Sequence, residues 1–240
     1  MYTRSFEENT FGQFLFGKYS GIIKEYNKRI KLNPQDEEAF FWRAVYKRKS
    51  GDKIGANEDF NKKIEINPND VLAIKFRSYT KMDIGDNAGA MEDHNKIIEI
   101  DPKDTSALVN RAITKMALGD YKGAVEDCNR AIEIDSRKET AYVNRAAAKL
   151  ALGDYAAVIE DSNKAIELNP QNRTAYINKA LALLKLGNYI GVIENCSIII
   201  DLNPKFADGY FIRGNAYNKL DNKKYALKDF KKARNLGYKY

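Results

Sequence analysis

Apolar and polar residues follow one another along the chain with the period of an α-helix. In residues 139–172, for example, Tyr142, Ala146 and Leu150 recur at a spacing of four, which places them on one face of a helix over about Thr140–Leu152. A second apolar stripe after a short turn predicts a second helix. No segment shows the strict alternation of a half-buried strand. The pattern therefore predicts an all-α chain made of helix pairs.

Local signals mark where these helices end and begin. Gly153 suits the left-handed backbone past a helix end, and Asp154 suits the first capping position of the next helix. Pro170 ends the second helix, because proline has no N–H to donate and disfavours helical dihedral angles at the residue before it. The glycine recurs through the chain at Gly17, Gly51, Gly85, Gly119 and Gly187.

The five prolines reveal a repeat of 34 residues. Each gap between Pro34, Pro68, Pro102, Pro170 and Pro204 is 34 residues or twice that number. Counting back from the prolines gives seven frames, which together form one expected domain over residues 3–240: 3–36, 37–70, 71–104, 105–138, 139–172, 173–206 and 207–240. Repeats of this length indicate a repeat architecture in which each unit packs on its neighbours.

In its fullest form the repeat carries small residues at places 8 and 20, an aromatic residue at place 17, alanine at 27 and proline at 32. In the fifth frame these places hold Ala146, Val158, Tyr155, Ala165 and Pro170. This unit resembles the tetratricopeptide repeat family. The resemblance covers essentially the whole chain and is weakest in the first and last frames, as expected of capping repeats. It implies a right-handed α-solenoid whose first helices line a concave groove.

An arginine at place 7 is followed sixteen residues later by an aspartate in most frames. The pairs are Arg43 and Asp59, Arg77 and Asp93, Arg111 and Asp127, Arg145 and Asp161, and Arg213 and Asp229. In the sixth frame Lys179 and Asn195 replace both members. Because the two places change together, we predict that they touch and join the paired helices. The alternative is a row of arginines that binds an anion.

Composition limits the class of protein. The chain has 240 residues, of which 44% are hydrophobic and 30% charged, which is typical of a globular protein. No apolar run approaches the roughly 20 residues of a membrane-spanning helix. The stretch Phe11–Phe16 lacks a basic leader and is a poor signal peptide. Two cysteines without a CxxC motif indicate a reducing compartment, so we expect a cytoplasmic protein.

The candidates for catalysis or metal binding are few. His94 is the only histidine, and it shares place 24 with Cys128, Ser162 and Cys196, which favours a packing role for all four. The two cysteines lie two repeats apart, roughly 20 Å or more, so they cannot form a disulfide. The chain has no phosphate-binding loop, nucleophile elbow or metal-ligand spacing. We therefore expect no enzyme activity, no metal and no cofactor.

The family resemblance implies a binding site on the first helices. Places 5, 9 and 12 face the groove in this family, and in the middle frames they are mostly apolar. The residues concerned are Val109, Ile113, Met116, Val143, Leu150, Ile177, Leu181 and Leu184. An apolar surface left open in a groove marks an interaction site. We therefore expect a protein scaffold or adaptor that binds an apolar peptide or helix of a partner.

Place 6 adds Asn110, Asn144 and Asn178 in three successive frames. Because an amide can donate to and accept from a peptide backbone, these residues resemble the asparagine ladders by which some members hold extended chains. The alternative is that they bond the neighbouring helix or face water.

The outer groove is more polar and aromatic, and its residues include Phe41, Lys75 and Tyr79. Lys75 and Asn110 match only two of the five residues of the family's clamp for chaperone C-termini, so that specialisation is not expected.

The formal net charge of +7 is concentrated in the last frame, which holds nine basic and three acidic side chains. Its final helix carries Lys224, Lys228, Lys231 and Lys232, which either solvate a terminal cap or form a docking patch for an acidic partner or a membrane. Nucleic-acid binding is the main rival, but it calls for a basic groove lined by aromatic residues. Self-association through an end repeat is a third hypothesis, based on the first-frame aromatics Tyr2, Phe6, Phe11, Phe14 and Phe16.

Overall fold

The protein is all-α over residues 19–239, the part of the chain that the computed structural model describes. This part contains thirteen helices and no strand. Helix α1 covers residues 19–32. The others are α2 Glu37–Ser50, α3 Lys53–Ile66, α4 Val71–Asp83, α5 Asn87–Ile100, α6 Thr105–Ala117, α7 Tyr121–Ile134, α8 Glu139–Leu152, α9 Tyr155–Leu168, α10 Arg173–Lys185, α11 Tyr189–Leu202, α12 Ala207–Lys219 and α13 Lys223–Asn235. Even-numbered helices are the first helices of a frame, and odd-numbered helices are the second helices. The helix pairs confirm the predicted fold class.

The turn inside a helix pair has the backbone that its residues favour. Gly153 follows α8 with φ 81°, in the left-handed region that side chains disfavour. Asp154 then caps α9, because its carboxylate accepts a hydrogen bond from the backbone N–H of Ala157 at 3.2 Å. In the last frame Asp221 replaces the glycine and adopts φ 54°, which aspartate tolerates better than most residues. The predicted start and stop signals are confirmed.

The helices form two compact units, which divide between Leu118 and Gly119. In the first unit α2 packs on α3 and α3 on α4; in the second unit α8 packs on α9 and α9 on α10. Packing of each helix on the next in the chain is the arrangement of an α-solenoid built from helix pairs. One domain over residues 3–240 stays a prediction.

Small residues at places 8 and 20 bring the paired helices together. Ala44 and Ala56 are fully buried in the first unit and pack in one cluster with Phe60. Ala146 and Val158 hold the same two places in the second unit and are also fully buried. Short side chains allow the two backbones to approach closely, which explains why the repeat needs them at these places.

The charge pairs join the paired helices, as predicted. Arg145 on α8 donates from Nε to Asp161 Oδ2 at 2.9 Å and from Nη2 to Asp161 Oδ1 at 2.5 Å, and Asp161 on α9 is only 2% exposed. The same two-bond geometry joins Arg43 to Asp59, Arg77 to Asp93 and Arg213 to Asp229. Protein carboxylates thus occupy these guanidinium groups, which favours structural ion pairs over a row of anion-binding arginines.

Two further residues complete the pair in the fifth frame. Arg145 Nη1 donates to Asn129 Oδ1 on α7 at 2.7 Å, and Lys149 Nζ lies 2.9 Å from Asp161 Oδ2. Burial alone lowers the pKa of Arg145, but the hydrogen bonds and charge of Asp161 outweigh it and raise that pKa. The places of Arg145, Lys149 and Asp161 all change in the sixth frame, where they hold Lys179, Leu183 and Asn195 respectively.

Candidate peptide-binding surfaces

The first helices of the second unit carry a partly exposed apolar strip. Ile177, Leu181 and Leu184 lie at i, i+4 and i+7 of α10, and each is only partly buried. Leu150 on α8 is also partly buried and packs at the edge of the cluster of Ala146 and its neighbours. Helices α8 and α10 contact each other directly. Leu150 therefore lies on a helix that packs against the helix carrying the apolar strip.

Val143 does not belong to this strip. Its side chain is 9% exposed and packs in a core cluster with Tyr142, Ala165 and Ala175. In the structure place 5 of α8 therefore points into the core, whereas Ile177 at the same place of α10 remains partly exposed.

Two of the three predicted ladder asparagines hold neighbouring first helices together. Asn178 on α10 is 6% exposed, and its Nδ2 donates to the backbone oxygen of Val143 on α8 at 3.2 Å. Asn110 on α6 donates from Nδ2 to the Tyr79 hydroxyl on α4 at 2.9 Å. Asn144 instead donates to the backbone oxygen of Thr140 in its own helix at 2.8 Å. Of the three, Asn144 alone bonds no neighbouring helix and remains accessible to a ligand.

In the first unit the predicted groove residues are divided between core and surface. Val109 on α6 is 5% exposed and Phe41 on α2 is 8% exposed, so both are core residues. Ile113 and Met116 on α6 are partly buried. Lys75 is engaged by Asp104, with 2.5 Å between Nζ and Oδ2, so its charge is already neutralised.

Helices α2 and α4 enclose a recess of about 230 Å³ in the first unit. Val45 and Phe76 form its apolar wall, and Lys49 lies at its rim. Arg48 and Asp83 close it with an ion pair, in which Arg48 Nη2 lies 2.7 Å from Asp83 Oδ2.

An aromatic cluster formed by α2 and α1 was not anticipated from the sequence. Trp42 on α2 is 40% exposed and its ring centroid lies 6.5 Å from that of Tyr46, which also contacts Tyr19 and Tyr26 on α1. The sequence does contain a sign of these aromatic residues. Place 6, which holds the predicted ladder asparagines in later frames, holds Trp42 in the second frame and Phe76 in the third.

The predicted basic residues Lys224, Lys228, Lys231 and Lys232 are all exposed on α13. The last three line a recess of about 510 Å³ together with Tyr210 of α12. Lys224 does not line this recess.

The candidates for other chemistry lie in the core or outside the described residues. His94 is 1% exposed, and Cys128 and Cys196 are fully buried. No group of three or more potential metal-ligating side chains occurs within residues 19–239. None of the helices described there is long and apolar enough to cross a membrane. The first-frame aromatics Tyr2, Phe6, Phe11, Phe14 and Phe16 lie outside the described residues.

Cys196 is expected to be unreactive in the folded protein. Burial raises the pKa of its thiol from 9.0 to about 12, and thiolate is the reactive form. Iodoacetamide should therefore modify Cys196 only after unfolding, as measured by mass spectrometry of the peptide that contains it. Because the raised pKa favours the protonated folded state, its contribution to stability is complete below about pH 9 and is lost as the pH rises toward 12. Equal rates of iodoacetamide labelling of Cys196 in buffer and in denaturant would contradict the expected low reactivity of this thiol.

Comparisons with known proteins identify the repeat. The tetratricopeptide repeat family model matches residues 105–138 and 139–172. A crystal structure of MamA is 27% identical, with a TM-score of 0.62 over 66% of this chain and 93% of MamA. A tetratricopeptide repeat protein from Parabacteroides merdae is 18% identical, with a TM-score of 0.73 over 95% of this chain and 93% of its own. YrrB, described as a TPR protein with an unusual peptide-binding site, is 19% identical, with a TM-score of 0.60 over 75% of this chain and 93% of YrrB. No curated protein matches significantly.

Proposed function

Because the chain is a tetratricopeptide repeat protein, we propose that it is a non-catalytic scaffold that binds a peptide segment of a partner protein on its first helices. The fold supports a role in protein–protein interaction, and YrrB of the same fold is described as having a peptide-binding site. Since a fold alone does not specify function, the proposal depends on the surface of α8 and α10.

One observation carries the proposal. Ile177, Leu181 and Leu184 stay partly exposed on one stripe of α10, whereas Ala175, Ala180, Ala182 and Leu183 of the same helix are buried in the core. Leu184 also packs against the core cluster of Ala180 and Leu183 and so forms the inner end of the stripe. A helix that is apolar on its solvent side as well as on its core side indicates a surface that another chain covers. We assign this strip, with Leu150 of α8 beside it, to the apolar side chains of the peptide.

Asn144 supplies the polar part of the proposed site. Its Nδ2 carries two hydrogens and only one of them is needed for the bond to Thr140, so the amide can still donate once and accept at its oxygen. That combination matches the N–H and C=O of one peptide unit. Asn178 is proposed to act indirectly, because its bond to Val143 holds α10 against α8 and fixes the distance between Leu150 and the apolar strip.

The first unit offers a separate surface of a different character. Val45 and Phe76 form the apolar wall of the recess between α2 and α4, and Trp42 on α2 is 40% exposed beside Tyr46. Exposed tryptophan and tyrosine are the residue types that contribute most to binding at protein interfaces. We propose that this surface binds a second apolar or aromatic segment, independently of the strip on α10.

The proposal is tested with a peptide selected from a random display library on the immobilised full-length protein. Asn144→Ala is expected to weaken binding of this peptide about 3- to 10-fold, the loss of one net hydrogen bond. Fluorescence anisotropy measures the dissociation constants. Asn163→Ala, an exposed asparagine on α9, is the matched control and should leave affinity unchanged. Equal affinities for all three proteins would remove Asn144 from the site, and failure to select any peptide would contradict the proposed function.

A further inference from the structure

A surface recess lies between the paired helices of more than one repeat in the second unit. In the fifth repeat it measures about 420 Å³ and is lined by Tyr142, the Arg145–Asp161 pair and residues of α9. In the seventh repeat it measures about 510 Å³ and is lined by Tyr210, the Arg213–Asp229 pair and residues of α13. The tyrosine, the arginine and the aspartate occupy the same places in the two frames. The two recesses therefore share these three wall residues, and Ile200 and Asp201 of α11 also line the recess of the seventh repeat.

The rims of the two recesses carry different charges. Glu160, Asn163 and Glu167 line the recess of the fifth repeat. The same three places of the seventh repeat hold Lys228, Lys231 and Asn235. Repeats two to six share this acidic rim, because place 22 is glutamate at 58, 92, 126, 160 and 194, and place 29 is glutamate or aspartate at 65, 99, 133, 167 and 201. The first repeat instead has Lys24 and Lys31 at these two places. The change of charge is thus confined to the two end repeats, and in the seventh repeat it lies around the recess.

Solvation of a terminal helix does not explain this change. Glu160 and Glu167 are already exposed in the middle of the chain, as are Lys228 and Asn235 at its end. A glutamate at these exposed places would therefore be solvated as well as a lysine. What differs is the sign of the charge around the recess. Lys228, Lys231 and Lys232 have no ion-pair partner among residues 19–239, so their charge is available to a ligand.

A further repeat stacked in the manner of the others does not fit this surface. Place 25 accepts a hydrogen bond from the arginine of the following frame, as Asn129 does from Arg145 and Ser197 does from Arg213. Lys231 occupies this place on α13, and an ammonium group cannot accept a hydrogen bond and repels an arginine. A following repeat with arginine at place 7 would meet this repulsion.

We propose that the recess of the seventh repeat binds an acidic segment of a partner protein, separately from the peptide site on the first helices. Carboxylates of that segment pair with Lys228, Lys231 and Lys232, and an apolar side chain rests on Tyr210 and Ile200 inside the recess. Asn235 donates to or accepts from the backbone of the segment.

Charge and shape favour a polypeptide over other anions. Tyr210 and Ile200 give the recess an apolar interior, which a peptide side chain can fill and a phosphate chain cannot. Nucleic-acid binding also calls for a basic track along a backbone, whereas these lysines belong to one helix. A flat membrane surface would not reach Tyr210 and Ile200 in a concave recess. A peptide in which leucine is flanked by glutamates supplies both the charges and the apolar group.

The test uses the full-length protein and a fluorescein-labelled synthetic peptide of glutamates around one leucine. Lys228→Glu, Lys231→Asn and Asn235→Glu together give the seventh repeat the rim of the fifth, with residues that the fold already accepts at these places. We expect this triple variant to bind the peptide about 10-fold or more weakly, and added salt to weaken binding to the native protein. The matched control, Lys185→Glu with Lys205→Glu on the sixth repeat, changes the net charge equally and should retain binding within about 2-fold.

A reciprocal variant tests sufficiency. Glu160→Lys, Asn163→Lys and Glu167→Asn transfer the basic rim to the fifth repeat and should add a second equivalent peptide site, seen as a doubled stoichiometry in calorimetry. Circular dichroism and thermal unfolding establish that each variant is folded. Equal peptide affinity of the triple variant and the native protein would overturn the proposal. So would binding of a single-stranded oligonucleotide or of phosphatidylserine vesicles where the peptide does not bind.

Discussion

Replacing Arg145 with leucine is expected to lower the free energy of unfolding by about 3 kcal/mol, at the lower end of the range for breaking a buried ion pair. Asp161 is 2% exposed and would lose two hydrogen bonds from Arg145. Lys149 stays 2.9 Å from Asp161 Oδ2 and limits the loss, because the carboxylate keeps one cation. Denaturant unfolding followed by circular dichroism measures the change.

Removal of the stranded charge should restore much of this stability. Arg145→Leu combined with Asp161→Leu is expected to be less destabilised than the sum of the single variants, with a coupling energy of more than about 1 kcal/mol. A sharper control is Arg145→Lys with Lys149→Leu and Asp161→Asn, which copies the residues that the sixth repeat holds at these places. This set should unfold within about 1 kcal/mol of the native protein. Additive effects of the two single leucine replacements would contradict the energetic role of the contact.

The sequence predicts the fold well because the residues that define the repeat act locally. Gly153, Asp154 and Pro170 each fix a helix end through their own backbone geometry, so their spacing alone gives the helix pairs. The contact of Arg145 with Asp161 was also predictable, because both residues change in the frame where one of them changes. Neither inference required knowledge of how helices of different frames cross.

The candidate site was less predictable because exposure depends on helix crossing. Val143 and Ile177 share place 5 of their frames, yet Val143 is in the core and Ile177 is partly exposed. Asn144 and Asn178 share place 6, yet only Asn178 reaches the neighbouring helix. The place of a residue in its 34-residue frame cannot predict these differences in exposure and bonding, because they arise from the side chains of adjacent frames.

Leu181→Glu is expected to abolish capture of the selected peptide. Leu181 is the central residue of the apolar strip of α10, between Ile177 and Leu184. When the peptide binds, its apolar side chain would desolvate the carboxylate of this glutamate. Desolvation of a carboxylate that has no hydrogen-bond or ion-pair partner costs several kcal/mol. We expect the dissociation constant to rise about 100-fold or more, which corresponds to about 3 kcal/mol. Because Leu181 is only partly buried, the variant should remain folded, as circular dichroism would show.

Comparison of Leu181→Glu with Leu202→Glu shows whether the peptide binds to the first helices. Leu202 ends the second helix α11 of the same repeat and is 41% exposed, so the replacement adds the same charge to the same unit on the other kind of helix. Fluorescence anisotropy with the selected peptide should show binding to the native protein and to Leu202→Glu within about 2-fold, and loss of binding to folded Leu181→Glu. Unchanged binding to folded Leu181→Glu, with loss in Leu202→Glu, would contradict binding to the first helices.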